Sequence, residues 1–205
     1  MQRDQNDLAS GRHLTEPEAR EQIARYCALL WERRLVTGTS GNVSVRLKDG
    51  DVVVTPTQIS LRAVEPGQLV RTGANGEPRP GQGQPTSELP LHIAAYEARP
   101  DIRAIVHTHP TFCVVWSKTG SVFERDTVGA RETLGGVAWT PYEPPGSRAL
   151  AQVTAAQFVR GIDTVLMERH GLSAVGTTLE QAYVATDLAE EAARIAFFSK
   201  FLADR

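Results

Sequence analysis

Ile105-Val106-His107-Thr108-His109-Pro110 is the stretch on which the reading of this chain turns. An apolar run (Ile102, Ala104, Ile105, Val106) leads into it and Pro110 closes it, the pattern of a buried β-strand stopped by a proline. Side chains two apart on an extended chain share one side. His107 and His109 therefore aim their imidazoles at one point, as two ligands of one metal ion must. A second segment, Met167-Glu168-Arg169-His170-Gly171-Leu172, offers a third histidine. Three imidazoles with an open fourth position are the ligand set of a catalytic zinc site. The chain has five histidines, and three of them fall in these two segments. Of the other two, His13 reads as a solvated tail residue and His92 as a helix-face residue or a support behind the ligands.

At 205 residues the chain suits one well-packed domain. We read residues 1–13 as a disordered tail and residues 14–205 as the domain. With 22 basic against 24 acidic residues and no basic stripe, neither nucleic acid nor an anionic membrane is an expected partner. No apolar run reaches the length of a membrane span, and the polar N-terminus has no signal-peptide core. These features point to the cytoplasm. Cys27 and Cys113 both sit among apolar neighbours and read as buried, reduced thiols. The position of Cys113 soon after His109 leaves a catalytic reading open as well.

Thr15-Glu16-Pro17-Glu18 is a capping box that starts a helix running to about residue 35. Residues 43–47 and 51–54 alternate as strands around Lys48-Asp49-Gly50, a hairpin signal. Residues 72–84, rich in glycine and proline, form a surface loop. Helices are expected over about 87–99, 111–117 and 147–160, and from Thr177 or Thr178 to about residue 202. Strands are expected at 135–139, 164–167 and 172–175. This alternation predicts a single three-layer α/β/α sandwich around a mixed or antiparallel sheet.

Three turns bear small and hydroxyl residues: Gly38-Thr39-Ser40-Gly41-Asn42, Thr55-Pro56-Thr57-Gln58 and Pro85-Thr86-Ser87-Glu88. The first lacks the lysine of a P-loop and taken alone reads as a connection. In the third, Thr86 or Ser87 opens a helix, whose free amides attract anions. Together the three turns can make one phosphate cup. Glu88 reads either as a first-turn glutamate favoured by the helix dipole or as a general base between cup and metal.

In this order, Gly38-Thr39-Ser40-Gly41-Asn42-Val43-Ser44, Thr55-Pro56-Thr57, Pro85-Thr86-Ser87-Glu88, His107-Thr108-His109 and His170-Gly171-Leu172 resemble the motifs of the class II aldolase/adducin family. The resemblance spans residues 15–202. It implies that His107, His109 and His170 hold Zn²⁺ or another divalent metal, and that Glu88 is the catalytic acid/base and joins the ligands when substrate is absent. It implies that Ser40, Gly41, Asn42, Thr57, Thr86 and Ser87 bind the substrate phosphate. The implied reaction is cleavage of a ketose 1-phosphate resembling L-fuculose 1-phosphate to dihydroxyacetone phosphate and an aldehyde, through a metal-stabilised enediolate. The implied assembly is a homotetramer. The family also holds epimerases, a dehydratase, decarboxylases and the non-catalytic adducin head. Glu rather than Asp at position 88 favours the aldolases. The tyrosine that aldolases of the family carry in the segment matching residues 127–134 is missing, and so is one in a C-terminal tail.

Overall fold

The computed structural model describes residues 12–203. Apart from Arg12 and the exposed His13, the expectation of a disordered tail over 1–13 lies outside the described residues. Seven strands make one sheet: β1 (Asn42–Arg46), β2 (Val52–Val54), β3 (Val70–Thr72), β4 (Ala104–Thr108), β5 (Val137–Thr140), β6 (Thr164–Met167) and β7 (Gly171–Gly176). Their order is β3-β2-β1-β4-β7-β6-β5, and every neighbouring pair is antiparallel except β5 with β6. The mixed sheet is the one the alternation predicts.

Helices cover both faces: α1 (Glu16–Glu32), α2 (Leu89–Ala98), α3 (Thr111–Ser117), α4 (Val128–Thr133), α5 (Arg148–Val159) and α6 (Leu179–Ala203). The period-2 alternation of β4 divides the core. Ala104 and Val106 pack with Ile23, Cys27 and Leu30 of α1, while Ile105 packs on the other face with Tyr96 of α2 and Phe158 of α5. Helices α3, α4 and α6 continue the α1 layer over Leu166, Leu172 and Ala174. Among the described residues, no helix is long and apolar enough to cross a membrane.

The capping box at Thr15 forms, with the Thr15 amide donating to Glu18 at 2.8 Å. Helix α1 ends at Glu32, short of residue 35, because Arg34 turns into a left-handed conformation at φ 59°. Helix α2 starts later than expected. The Thr86 carbonyl accepts from Leu89 at 3.1 Å in a turn, and the Thr86 amide donates to Thr55 at 3.0 Å. This fastens the loop to the end of β2, so Glu88 rather than Thr86 or Ser87 is the capping residue. Strand β3 and helix α4 have no counterpart in the sequence reading.

Candidate active site

His107 is the fourth residue of β4 and lies opposite Asn42 of β1 on one side and Ser173 of β7 on the other. His109 follows just past the strand end, where its amide donates to Leu35 at 3.2 Å. His170 occupies the turn between β6 and β7, after Arg169 in the left-handed region at φ 56°. The three rings meet with centroids 4.9, 4.9 and 5.0 Å apart and planes 69–74° from one another. Their ligating nitrogens all lie within 4.8 Å, making one candidate metal cluster.

The donor chemistry fits a divalent cation. The His107 Nδ1 lies 3.0 Å from the Leu172 carbonyl and 3.2 Å from the Ser173 hydroxyl, so Nδ1 carries the hydrogen and Nε2 offers its lone pair. That Nε2 is 3.0 Å from the Nε2 of His109. Two imidazole nitrogens bound to one tetrahedral ion at about 2.0–2.1 Å stand roughly 3.3 Å apart. Among the described residues, His170 Nδ1 and Glu88 Oε2 are buried with no hydrogen-bond partner. Burial pushes all three imidazoles down in pKa, His109 to about 4 and His107 well below its ordinary value, and neighbouring imidazoles add to the shift at those two. All three are therefore neutral near pH 7, the form that binds metal.

Glu88 reaches this cluster from the other layer. Its Oε1 lies 3.9 Å from His170 Nε2, and the residue is 6% exposed. Desolvation raises its pKa, and a hydrogen bond from the Gly146 amide opposes this only in part. A carboxyl group beside a metal-ready cluster, with a pKa raised by burial, is suited to proton exchange.

The three hydroxyl-bearing turns stand side by side at the same end of the sheet. Val43 donates its amide to Thr55 Oγ1 at 3.2 Å, Pro56 bridges Pro85, and Thr57 donates its amide to Gln84 at 3.2 Å. Asn42 and Thr86 are buried, whereas Thr57 and Ser87 are exposed. Ser40 Oγ accepts from the Thr37 amide at 3.1 Å, which ties it within its own turn. Gly41 has φ 83°, and a Cβ there would stand 3.0 Å from the His107 carbonyl and 2.6 Å from Val36. The first turn can lie against β4 only because that position is glycine.

His13 is exposed and apart from the cluster, as expected. Cys27 and Cys113 are buried, and burial pushes both thiols up in pKa, Cys27 to about 12. A thiol held protonated is no nucleophile, which sets aside the catalytic reading of Cys113. Sequence reasoning missed Gly146 and read His92 as a helix-face or supporting residue without its partners. Pro144-Pro145-Gly146 signals a helix start and nothing more, yet Gly146 supplies the amide at Glu88. His92 is linked to Asn42 and Ser44, contacts that arise only when α2 packs on β1.

A family model for the Class II Aldolase and Adducin N-terminal domain matches residues 21–197, and the chain belongs to that family. An L-fuculose phosphate aldolase from Methanococcus maripaludis is 31% identical over 85% of this chain and 93% of the relative. A 3-oxo-tetronate 4-phosphate decarboxylase from Cupriavidus necator is 34% identical over 88% of this chain and 84% of the relative. A solved L-fuculose 1-phosphate aldolase superposes with a TM-score of 0.84 at 27% identity, covering 95% of this chain and 91% of that one. The similarity thus reaches two reaction types.

Proposed function

We propose that this chain is a metal-dependent aldehyde-lyase. It cleaves a ketose 1-phosphate of the L-fuculose 1-phosphate kind into dihydroxyacetone phosphate and an aldehyde. The observation that carries this reading is the buried Glu88 carboxyl 3.9 Å from His170, within a cluster of neutral imidazoles. A divalent ion, zinc in first place, held by His107, His109 and His170 would supply Lewis-acid stabilisation of the charge left when a carbon–carbon bond breaks. Glu88 moves the proton at the reacting carbon, and burial raises its pKa above the ordinary carboxylate value. Its closeness to His170 suits a carboxylate that completes the ligand set until substrate arrives. Gly41, Asn42, Thr57, Thr86 and Ser87, with the amide-rich turn at Ser40, hold the phosphate by neutral donors. That grip fixes the reacting carbon against the metal site.

A second reading is favoured by two observations. One relative is named a decarboxylase at 34% identity, and α4 holds no tyrosine. Decarboxylation of a phosphorylated 3-oxo acid leaves the same kind of carbanion beside a carbonyl, so the same residues serve it. The test is a screen of ketose 1-phosphates and 3-oxo acid phosphates with and without chelator, products identified by mass. Chelator-sensitive release of dihydroxyacetone phosphate and an aldehyde supports the aldolase. Loss of carbon dioxide establishes the second reading. An isomer or a dehydrated product identifies an epimerase or dehydratase, and absence of turnover with metal bound identifies an adducin-like binding domain. We place the enzyme in the cytoplasm as a homotetramer, an assembly supported by the exposed Phe198 and Leu202 at the end of α6.

A further inference from the structure

We infer that a buried chain of side chains, His92, Ser44 and Tyr96, sets which end of the Asn42 amide faces the substrate phosphate. The inference rests on the phosphate reading of Asn42 and assigns its supports, which act as positioning residues.

The links run through one interface. Asn42 and Ser44 are two apart on β1 and share a face of the sheet; His92 and Tyr96 are four apart on α2 and share a face of the helix. The Asn42 Oδ1 is 2.5 Å from His92 Nε2. The other ring nitrogen, Nδ1, is 2.7 Å from Ser44 Oγ, which is 2.8 Å from the Tyr96 hydroxyl. The Tyr96 hydroxyl also lies 3.4 Å from the Arg103 carbonyl. Ser44 and His92 are fully buried, and Tyr96 is 4% exposed. Among the described residues, no acceptor takes the hydrogens of Asn42 Nδ2.

Such a chain can carry its protons in two directions. In one, Tyr96 donates to Ser44, Ser44 donates to His92 Nδ1, and His92 Nε2–H donates to Asn42 Oδ1. The Asn42 NH₂ group then faces outward with two free donors. In the other, the NH₂ group is spent on His92, the carbonyl faces outward, and the chain ends in the long Tyr96–Arg103 contact of 3.4 Å. Both directions use the 2.8 Å Tyr96–Ser44 link, but only the second needs the weak 3.4 Å end, so the first places the Tyr96 hydrogen in the shorter contact. It also suits the ligand. The three turns contain no lysine or arginine, so an anion depends on neutral donors, and an outward carbonyl would repel it. Burial holds His92 neutral by pushing its pKa to about 3, so the ring can donate on one side only. The direction of the chain is therefore coupled to the orientation of the amide.

The experiment uses the zinc-loaded full chain, ¹⁵N-labelled at histidine, with saturating inorganic phosphate. The His92 resonance is identified as the one lost in His92→Gln. The expected result is a proton on Nε2 and a bare Nδ1; a proton on Nδ1 overturns the inference. Calorimetry of phosphate binding gives the second arm. Ser44→Ala is expected to keep its zinc and bind phosphate about tenfold more weakly. Ser44→Thr, which keeps the hydroxyl, is expected to restore binding. Wild-type phosphate affinity in Ser44→Ala overturns the relay. Asn42→Asp separates the two ideas, since it replaces donors by a carboxylate. Should Asn42→Asp bind phosphate as well as the wild type, the cup reading itself fails. Should Ser44→Ala not fold, the tautomer of the unmutated protein decides.

Discussion

A carboxyl group taken out of water holds its proton longer, and at Glu88 the Gly146 amide offsets that burial in part. The basic form of Glu88 is lost as pH falls through its folded pKa, which lies above the ordinary 4.5. A step that needs the carboxylate should therefore fade on the acid side earlier than an exposed glutamate would allow. Glu88→Gln is expected to fold normally, to lose about 10²–10⁴ in turnover, and to lose this acid limb in a pH–rate profile. Turnover near wild type would reduce Glu88 to a helix-capping residue. The imidazoles give a prediction of opposite origin. His109 is depressed to about 4, and an unfolded chain takes up protons near 6.5 that the folded one refuses. Stability of the metal-free protein is then full above the ordinary imidazole pKa and declines as pH falls through it toward about 4. Urea midpoints at about pH 7.5 and about pH 5 measure this, and equal midpoints would contradict it.

At the level of elements, the site depends on how closely strand ends approach. A Cβ on Gly171, the first residue of β7, would lie 2.2 Å from the Thr108 carbonyl and 2.7 Å from the His109 ring. Gly171→Ala should push His109 aside and weaken zinc binding by about 10–100-fold, the scale for disturbing a ligand's support; competition with a chelating dye reads it out. Gly41→Val meets Val36 and the His107 carbonyl from a left-handed backbone. It should cost about 1–3 kcal/mol in stability and raise the KM for a phosphorylated substrate. What the sequence discloses follows the same geometry. Strand period 2 brings His107 and His109 together, and the capping box marks α1, because both signals are local. Strand β3 is an edge of three residues whose Arg71 is held by Glu16, Asp49 and Asp51, partners scattered along the chain. Helix α4 is one short turn set by packing of Ala130 against the α6 layer. The Gly146–Glu88 contact arises from packing of α5 beside α2 and the His92–Asn42 contact from packing of α2 on the sheet, and no spacing rule encodes either.

For the molecule as a whole, a metal held by the three histidines would join segments more than sixty residues apart, from β4 to the β6–β7 turn. A ligand that binds only the native state stabilises it by mass action. At free zinc about 100-fold above its Kd the gain is about 2.7 kcal/mol. For a domain of this size that raises Tm by roughly 5–10 °C, and chelation should reverse it in a thermal melt. An unchanged melt would mean that the cluster holds no metal in solution. The pairing of His107 with Ser173 adds a different consequence. Sliding β7 by one residue along β4 would turn Ser173 to the opposite face and take both partners from the His107 ring. An ion held there would therefore inspect the zipping of the sheet. The metal-loaded fraction of a refolded sample counts chains whose central strands found their proper alignment, a census that spectroscopy of secondary structure alone would miss.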